Sequence, residues 1–266
     1  MERPEHRTAS ANNYMRAIIL AAGKGKRLDQ VRGNYPKCLL EIGGMSLIKR
    51  QIQALRMVGV HDITAVVGFG KEHVQERCGS EIRYVENDRH DQTNSMYSLW
   101  LTRELLSGGF VVLNADVFFH TQMLVDLVST PYEDALLVSY EPLAVLGEEE
   151  MKVKVRKGRV VDISKQMDPA EADGENVGIV KFGSSGAAFL IEQMDALIAA
   201  GNLKAWAPRA FREFAASQQL HAISTRGFPW IEIDFPEDYA RAVDVILPEM
   251  MLSDARFSDV RDVAVR

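Results

Sequence analysis

Cysteine is scarce in this sequence: Cys38 and Cys78 are the two present in 266 residues, and they lie far apart without matching any metal-ligand spacing. A secretory signal is also missing, because the N-terminus is polar rather than apolar, so a cytoplasmic, reducing location is expected. No apolar run is long enough to cross a bilayer, since Asp or Glu interrupts each strong hydrophobic stretch. An excess of basic charge is lacking as well. With 31 Lys and Arg against 37 Asp and Glu, the formal net charge of -6 argues against a nucleic-acid or anionic-membrane binder and points to a small partner. There is no internal repeat and no second domain of independent size. What is present, 47% hydrophobic and 26% charged residues, has globular proportions and is enough for one full-sized core.

Hydrophobic patterning divides the chain into a mobile leader (1–14), a main domain (15–247) and a C-terminal tail (248–266) in which Met250, Met251, Leu252 and Phe257 could pack on the same chain or on a second copy as a homo-oligomer. Arg16 to Ala22 is a nearly continuous apolar run, as expected for a strand buried on both faces of a parallel sheet. Helical spacing over Ser46 to Val58 and a second apolar run, Ile63 to Val67, complete a strand–helix–strand unit. The alternation continues with helix Glu72 to Arg77, strand Ile82 to Val85, helix Ser95 to Leu106, strand Phe110 to Asn114, helix Thr121 to Val128 and strand Ala135 to Ser139. Alternating elements of this kind predict an α/β fold, Rossmann-like, with a mixed, mostly parallel sheet flanked by helices. Lys152 to Arg156 and Arg159 to Ser164 read as a hairpin turning at Lys157-Gly158. Strands are then expected at Val177 to Lys181, Ala187 to Ile191 and Leu220 to Thr225, with helices at Gln193 to Ala200 and Pro208 to Gln218. Residues 140–182 form a small inserted β region that would act as a lid over an acceptor.

The densest chemistry lies in Leu20-Ala21-Ala22-Gly23-Lys24-Gly25-Lys26-Arg27-Leu28, followed by Pro36-Lys37-Cys38-Leu39. A glycine-rich loop directly after a buried strand lets backbone N–H groups approach phosphate oxygens, with Lys26, Arg27 and Lys37 supplying positive charge. The spacing fits neither a Walker loop nor a dinucleotide fingerprint. Asn114-Ala115-Asp116 delivers a carboxylate to the carboxyl edge of the sheet, where open α/β folds bind ligands. Trp230-Ile231-Glu232-Ile233-Asp234 places Glu232 and Asp234 on one face of a strand, because side chains two apart point the same way.

Together these blocks resemble the nucleotidyltransferases that activate sugars, alcohols and cholines, which share Leu-Ala-Ala-Gly-x-Gly-x-Arg-Leu followed by Pro-Lys-x-Leu. The resemblance runs from Arg16 to about Val243. It implies the nucleotide-diphospho-sugar transferase type of fold, a triphosphate bound by residues 20–27, and a catalytic set of Arg27, Lys37, Asp116 and Asp234. It further implies Mg2+ as cofactor, held by Asp116 and Asp234 with Glu232 as a third ligand. Asn94-Ser95-x-Tyr97-Ser98-Leu99 is similar to the choline-phosphate and phosphonate cytidylyltransferases, which favours CTP as donor. Asn87, Asn94 and Ser95 are then candidates for nucleotide contacts, with Asn94 also a helix cap. Lys165 is the candidate for an acceptor phosphate. Tyr97, Tyr140 and Trp230, the last beside Glu232, are candidates for an amine-bearing acceptor such as phosphocholine or 2-aminoethylphosphonate. Two other readings share most of these residues: a sugar-1-phosphate nucleotidyltransferase using UTP, dTTP or GTP, and a nucleotide-binding regulator without turnover. A Rossmann oxidoreductase fits less well, because Val67-Gly68-Phe69 stands where its acidic ribose-binding residue is expected.

Overall fold

A computed structural model of the chain describes residues 15–140 and 147–254. The leader 1–14, residues 141–146 of the expected lid, and the end of the tail from residue 255, including Phe257, lie outside the described residues.

The first half builds a parallel sheet. β1 (Arg16–Ala21) is followed by α1 (Asp29–Arg32), the short pair β2 (Glu41–Ile42) and β3 (Met45–Ser46), α2 (Leu47–Met57), β4 (Asp62–Val67), α3 (Lys71–Cys78), β5 (Arg83–Glu86), α4 (Ser95–Trp100) and β6 (Phe110–Asn114). β5, β4, β1 and β6 lie side by side in parallel. β1 is buried on both faces as its apolar run requires: Ala17, Ile19 and Ala21 meet α2 and α5 (Thr121–Ser129), while Ile18 meets the helices on the opposite face.

The second half extends the sheet with strands of both senses. β7 (Val117–Phe119) leads into α5, then β8 (Ala135–Ser139), β9 (Lys152–Arg156), β10 (Arg159–Ser164), β11 (Gly174–Phe182), α6 (Ser184–Ala199), α7 (Pro208–Ser217), β12 (His221–Ser224), β13 (Trp230–Glu232) and α8 (Pro236–Arg241). The nine-stranded sheet runs β5-β4-β1-β6-β11-β8-β12-β10-β9, and β11 enters antiparallel between β6 and β8. The sheet is therefore parallel where the glycine-rich loop leaves it and mixed beyond β6. The expected hairpin is present, with Lys157 at φ 51° and Gly158 at φ 76° in the turn.

Two expectations are corrected. Ala187 to Ile191, expected as a strand, is the middle of α6, with Gly186, Ala187, Leu190 and Met194 buried at helical spacing. The helix expected from Ser95 to Leu106 stops at Trp100 and gives way to a 3-10 turn at Arg103–Leu105. The expected tail boundary at 247 falls within continuous helix. After α8 a π turn, Ala242–Ile246, runs on to residue 254. Ile246 and Met250 pack there with Leu28, Ile42, Phe118 and Ile233 in a third core cluster. Among the described residues no helix is long and apolar enough to cross a membrane.

Candidate active site

β1 ends at Ala21, and the chain turns over the carboxyl edge of the parallel sheet before a 3-10 turn at Lys26–Leu28. Gly25 sits at φ +61°, and a β-carbon there would stand 3.0 Å from Cβ of Lys37. Glycine thus supplies both the left-handed backbone and the room for a lysine to pass behind the loop. Lys37 opens its own 3-10 turn after Pro36, and its side chain is 12% exposed. Its ammonium lies 2.8 Å from Oδ2 of Asp116 and 2.5 Å from Oδ1 of Asp234. Burial alone would lower the pKa of this lysine, but the charges and hydrogen bonds of Asp116 and Asp234 outweigh it and raise it above the usual lysine range.

The two aspartates are 118 positions apart in sequence and meet because β13 pairs antiparallel with β7, setting Glu232 opposite Val117. Asp116 lies in the turn between β6 and β7, and its carbonyl accepts from the N–H of Ile233 at 3.1 Å. One carboxylate oxygen each from Asp116, Glu232 and Asp234 lie within 4.8 Å of one another. Burial pushes the Glu232 carboxyl up to about 8, reinforced by the charges of Asp116 and Asp234. For Asp234 the burial effect also acts upward, yet Lys37, then Lys165 and Arg27, hold it below the usual carboxylate value. Oδ1 of Asp116 is buried without a hydrogen-bond partner among the described residues. Three clustered carboxyls, one with an unused oxygen, form a hard oxygen donor set that fits a divalent cation such as Mg2+.

These groups line a cleft of about 250 Å³. Leu20, Ala21, Ala22, Gly23 and Gly25 form its loop wall, and Asn87, Asn94 and Ser95 its opposite wall. Asn87 is committed to its own loop: Nδ2 donates to Thr93 and Ser98, and Oδ1 accepts from the Arg89 N–H. Asn94 caps α4 by accepting from the Ser95 N–H, and the Ser95 hydroxyl accepts from the Ala207 N–H. At the mouth, the Arg27 guanidinium lies over the Phe235 ring at 4.8 Å, 3.3 Å from Glu149 and 3.9 Å from Asp234. Lys165 faces the cleft from beyond β10, with Nζ 3.6 Å from Glu149 and 5.1 Å above the Trp206 ring.

Six expected site residues stand outside this lining: Arg27, placed as above, and five others. Lys24 sits over Phe69, and Lys26 is exposed. Tyr97 is buried beside Trp100 beneath Arg89, Trp230 packs against the core on the α2 side, and Tyr140 is exposed at the end of β8. An indole ring does line the cleft, that of Trp206, 49% exposed between α6 and α7. Sequence reasoning passed over it and Glu149. A tryptophan outside any apolar periodicity, two residues before the proline that opens α7, was the available signal. Glu149 lies in a run of three glutamates and carries no local signal.

The mixed sheet flanked by helices is that of the nucleotide-diphospho-sugar transferase fold. Residues 17–150 match the MobA-like NTP transferase domain, and the chain belongs to that family. It is 28% identical over 235 residues to the bifunctional IPC transferase and DIPP synthase of Aquifex aeolicus, covering 85% of this chain and 50% of that protein. It is 37% identical over 121 residues to the choline-phosphate cytidylyltransferase of Streptococcus pneumoniae, covering 44% of this chain and 52% of the relative. The chain thus spans about half the length of these curated relatives. The inositol-1-phosphate CTP transferase structure from T. maritima shares the fold with a TM-score of 0.72 at 24% identity, over 90% of this chain and 95% of that one.

Proposed function

We propose that this protein transfers CMP from CTP to a small acceptor bearing a phosphate or phosphonate, releasing pyrophosphate. The observation that carries the reading is the convergence of Lys37, Asp116, Glu232 and Asp234 beneath the glycine-rich loop. An acceptor oxygen attacks the α-phosphorus as the bond to the bridging oxygen of the leaving pyrophosphate breaks. A phosphate or phosphonate oxygen is already ionised at neutral pH, so no side chain has to remove a proton. Backbone N–H groups of the loop bind the triphosphate, and Lys37 stabilises negative charge developing on it. Arg27 exchanges Glu149 for the pyrophosphate. Mg2+, held by Asp116, Asp234 and Glu232, would neutralise charge on the phosphate oxygens.

Acceptor binding falls to the end of the cleft where Lys165, Trp206 and Glu149 meet. Lys165 offers a cation to a phosphate, while the Trp206 face and the Glu149 carboxylate suit an amine or a polyol. The intact carboxylate set favours turnover over a purely regulatory role. Preference for CTP is supported by the kinship to a choline-phosphate cytidylyltransferase. The test is pyrophosphate release with Mg2+, pairing CTP, UTP, GTP, ATP and dTTP in turn with phosphocholine, 2-aminoethylphosphonate, inositol-1-phosphate and sugar-1-phosphates. Release with CTP and one of the first three acceptors is expected. Release with UTP or dTTP and a sugar-1-phosphate would replace the substrate assignment and keep the chemistry, and CTP binding without release across the panel would favour the regulator.

A further inference from the structure

The buried face of α2 consists of Leu47, Ile48, Ile52, Ala54 and Leu55, with Gln51 among them at 1% exposure. An amide in such a place destabilises the fold unless it finds partners. Nε2 of Gln51 donates to the carbonyl of Asn114 at 2.8 Å and to that of Val117 at 2.9 Å. Both partners are carbonyl oxygens, so only the nitrogen end of the amide can face them, and the side chain has a single useful orientation. The two carbonyls bracket Ala115 and Asp116, the turn that presents the first carboxylate. That turn has two further anchors: the Ala115 N–H donates to the Leu20 carbonyl at 3.2 Å, and the Ile233 N–H to the Asp116 carbonyl at 3.1 Å.

We infer that Gln51 is a positioning residue: by clamping both sides of the turn it fixes the direction in which Asp116 meets Glu232 and Asp234. The other end of the same amide argues for this role over packing. Oε1 is buried without a hydrogen-bond partner among the described residues, so the side chain keeps a desolvated oxygen in order to deliver its nitrogen. An aliphatic residue would complete the apolar face of α2 without that oxygen, but it would leave the turn unclamped. Leu20 of β1 and Ile233, just past β13, hold the turn from the sheet side, and among the described residues Gln51 ties it to α2.

The inference rests on the proposed metal-dependent transfer, and its test separates the two. Gln51→Leu removes both donors at similar volume. Ile52→Ala loosens the same helix without reaching the turn. Manganese bound to the protein alone, followed through its paramagnetic resonance signal, reports the geometry of the carboxylate set independently of turnover. Gln51→Leu should weaken Mn2+ binding about 10–100-fold, as loss of groups that orient metal ligands does. At saturating metal it should also lower kcat while leaving KM for CTP near the wild-type value. Ile52→Ala should lower the unfolding temperature yet bind Mn2+ as the wild type does. Wild-type Mn2+ affinity in Gln51→Leu, or an equal loss in Ile52→Ala, would overturn the positioning role. If Gln51→Leu does not fold, Gln51→Asn carries the same comparison, since its shorter amide cannot span both carbonyls. Failure of wild-type protein to bind Mn2+, or binding untouched by Asp116→Asn, would instead sink the metal reading and this inference with it.

Discussion

Lys37 is held where two carboxylates converge, and its charge is secured by them rather than by solvent. Replacing it with methionine keeps the length and apolar stem but removes the ammonium, leaving Asp116, Asp234 and Glu232 to face one another. Pyrophosphate release should fall about 10²–10³-fold, the size expected for loss of one preorganised group that stabilises transition-state charge. The fold should survive, because the loop, β7 and β13 are anchored by backbone hydrogen bonds independent of this side chain. A steady-state rate within a few-fold of wild type in a folded Lys37→Met protein would remove the lysine from the chemistry. Lys37 and both aspartates could be named as candidates from motif and strand-end position. What could not be read is that lysine and aspartates touch, because the contact depends on Gly25 making room and on the pairing of β13 with β7, strands distant in sequence.

At the scale of elements, the turns and caps carry the clearest tests. Lys157 adopts φ 51° in the hairpin between β9 and β10, a left-handed conformation that costs an ordinary L-residue roughly 1–2 kcal/mol. Asparagine tolerates that region and would make the Asn-Gly pair preferred in such hairpins, so Lys157→Asn should raise the unfolding temperature without altering the cleft. A lowered melting point would show that the lysine side chain contributes more than its backbone strain removes. His120 caps α5 by accepting from the Gln122 N–H through Nδ1, and its Nε2 lies 3.2 Å from Asp254. Burial lowers its pKa below the ordinary 6.5, with Asp254 opposing only in part. The sign follows from which state takes up the proton first. Below about pH 6.5 the unfolded chain is protonated before the folded one, so stability is fully present above that pH and declines as pH falls through 6.5. His120→Asn retains a capping side chain and should flatten the decline between pH 7 and 5 in denaturant melts, whereas an unchanged slope would assign it elsewhere.

The same scale shows where sequence pattern sufficed. Long, periodic or flanked elements such as β1, α2, β6 and the Lys157-Gly158 hairpin were legible because a single local period and a turn residue decide them. Ala187 to Ile191 misled because a short apolar run fits a buried strand and a buried helix equally well, and here packing against α7 selects the helix. β7 was invisible since three residues hold no period, yet β7 is what brings Asp116 to Glu232 and Asp234.

At the scale of the whole molecule the cleft draws on segments spread from Leu20 to Asp234, so ligand binding and global stability must be linked. A ligand that binds only the folded state at about 100 times its Kd adds about 2.7 kcal/mol to unfolding free energy. CTP with Mn2+ should therefore raise the unfolding temperature well beyond CTP alone, because a cation held by the proposed carboxylate set would offset the repulsion between those carboxylates and the phosphates. In Asp116→Asn one carboxylate charge is lost and the metal-dependent increment should disappear. The response to CTP alone should be equal or larger, since removing a negative charge eases the approach of a polyanion. That opposite movement is the discriminating feature: general damage to the cleft would depress both responses together. Parallel loss of both would count against Asp116 as a ligand, and retention of the metal increment would shift the site toward Glu232 and Asp234 alone.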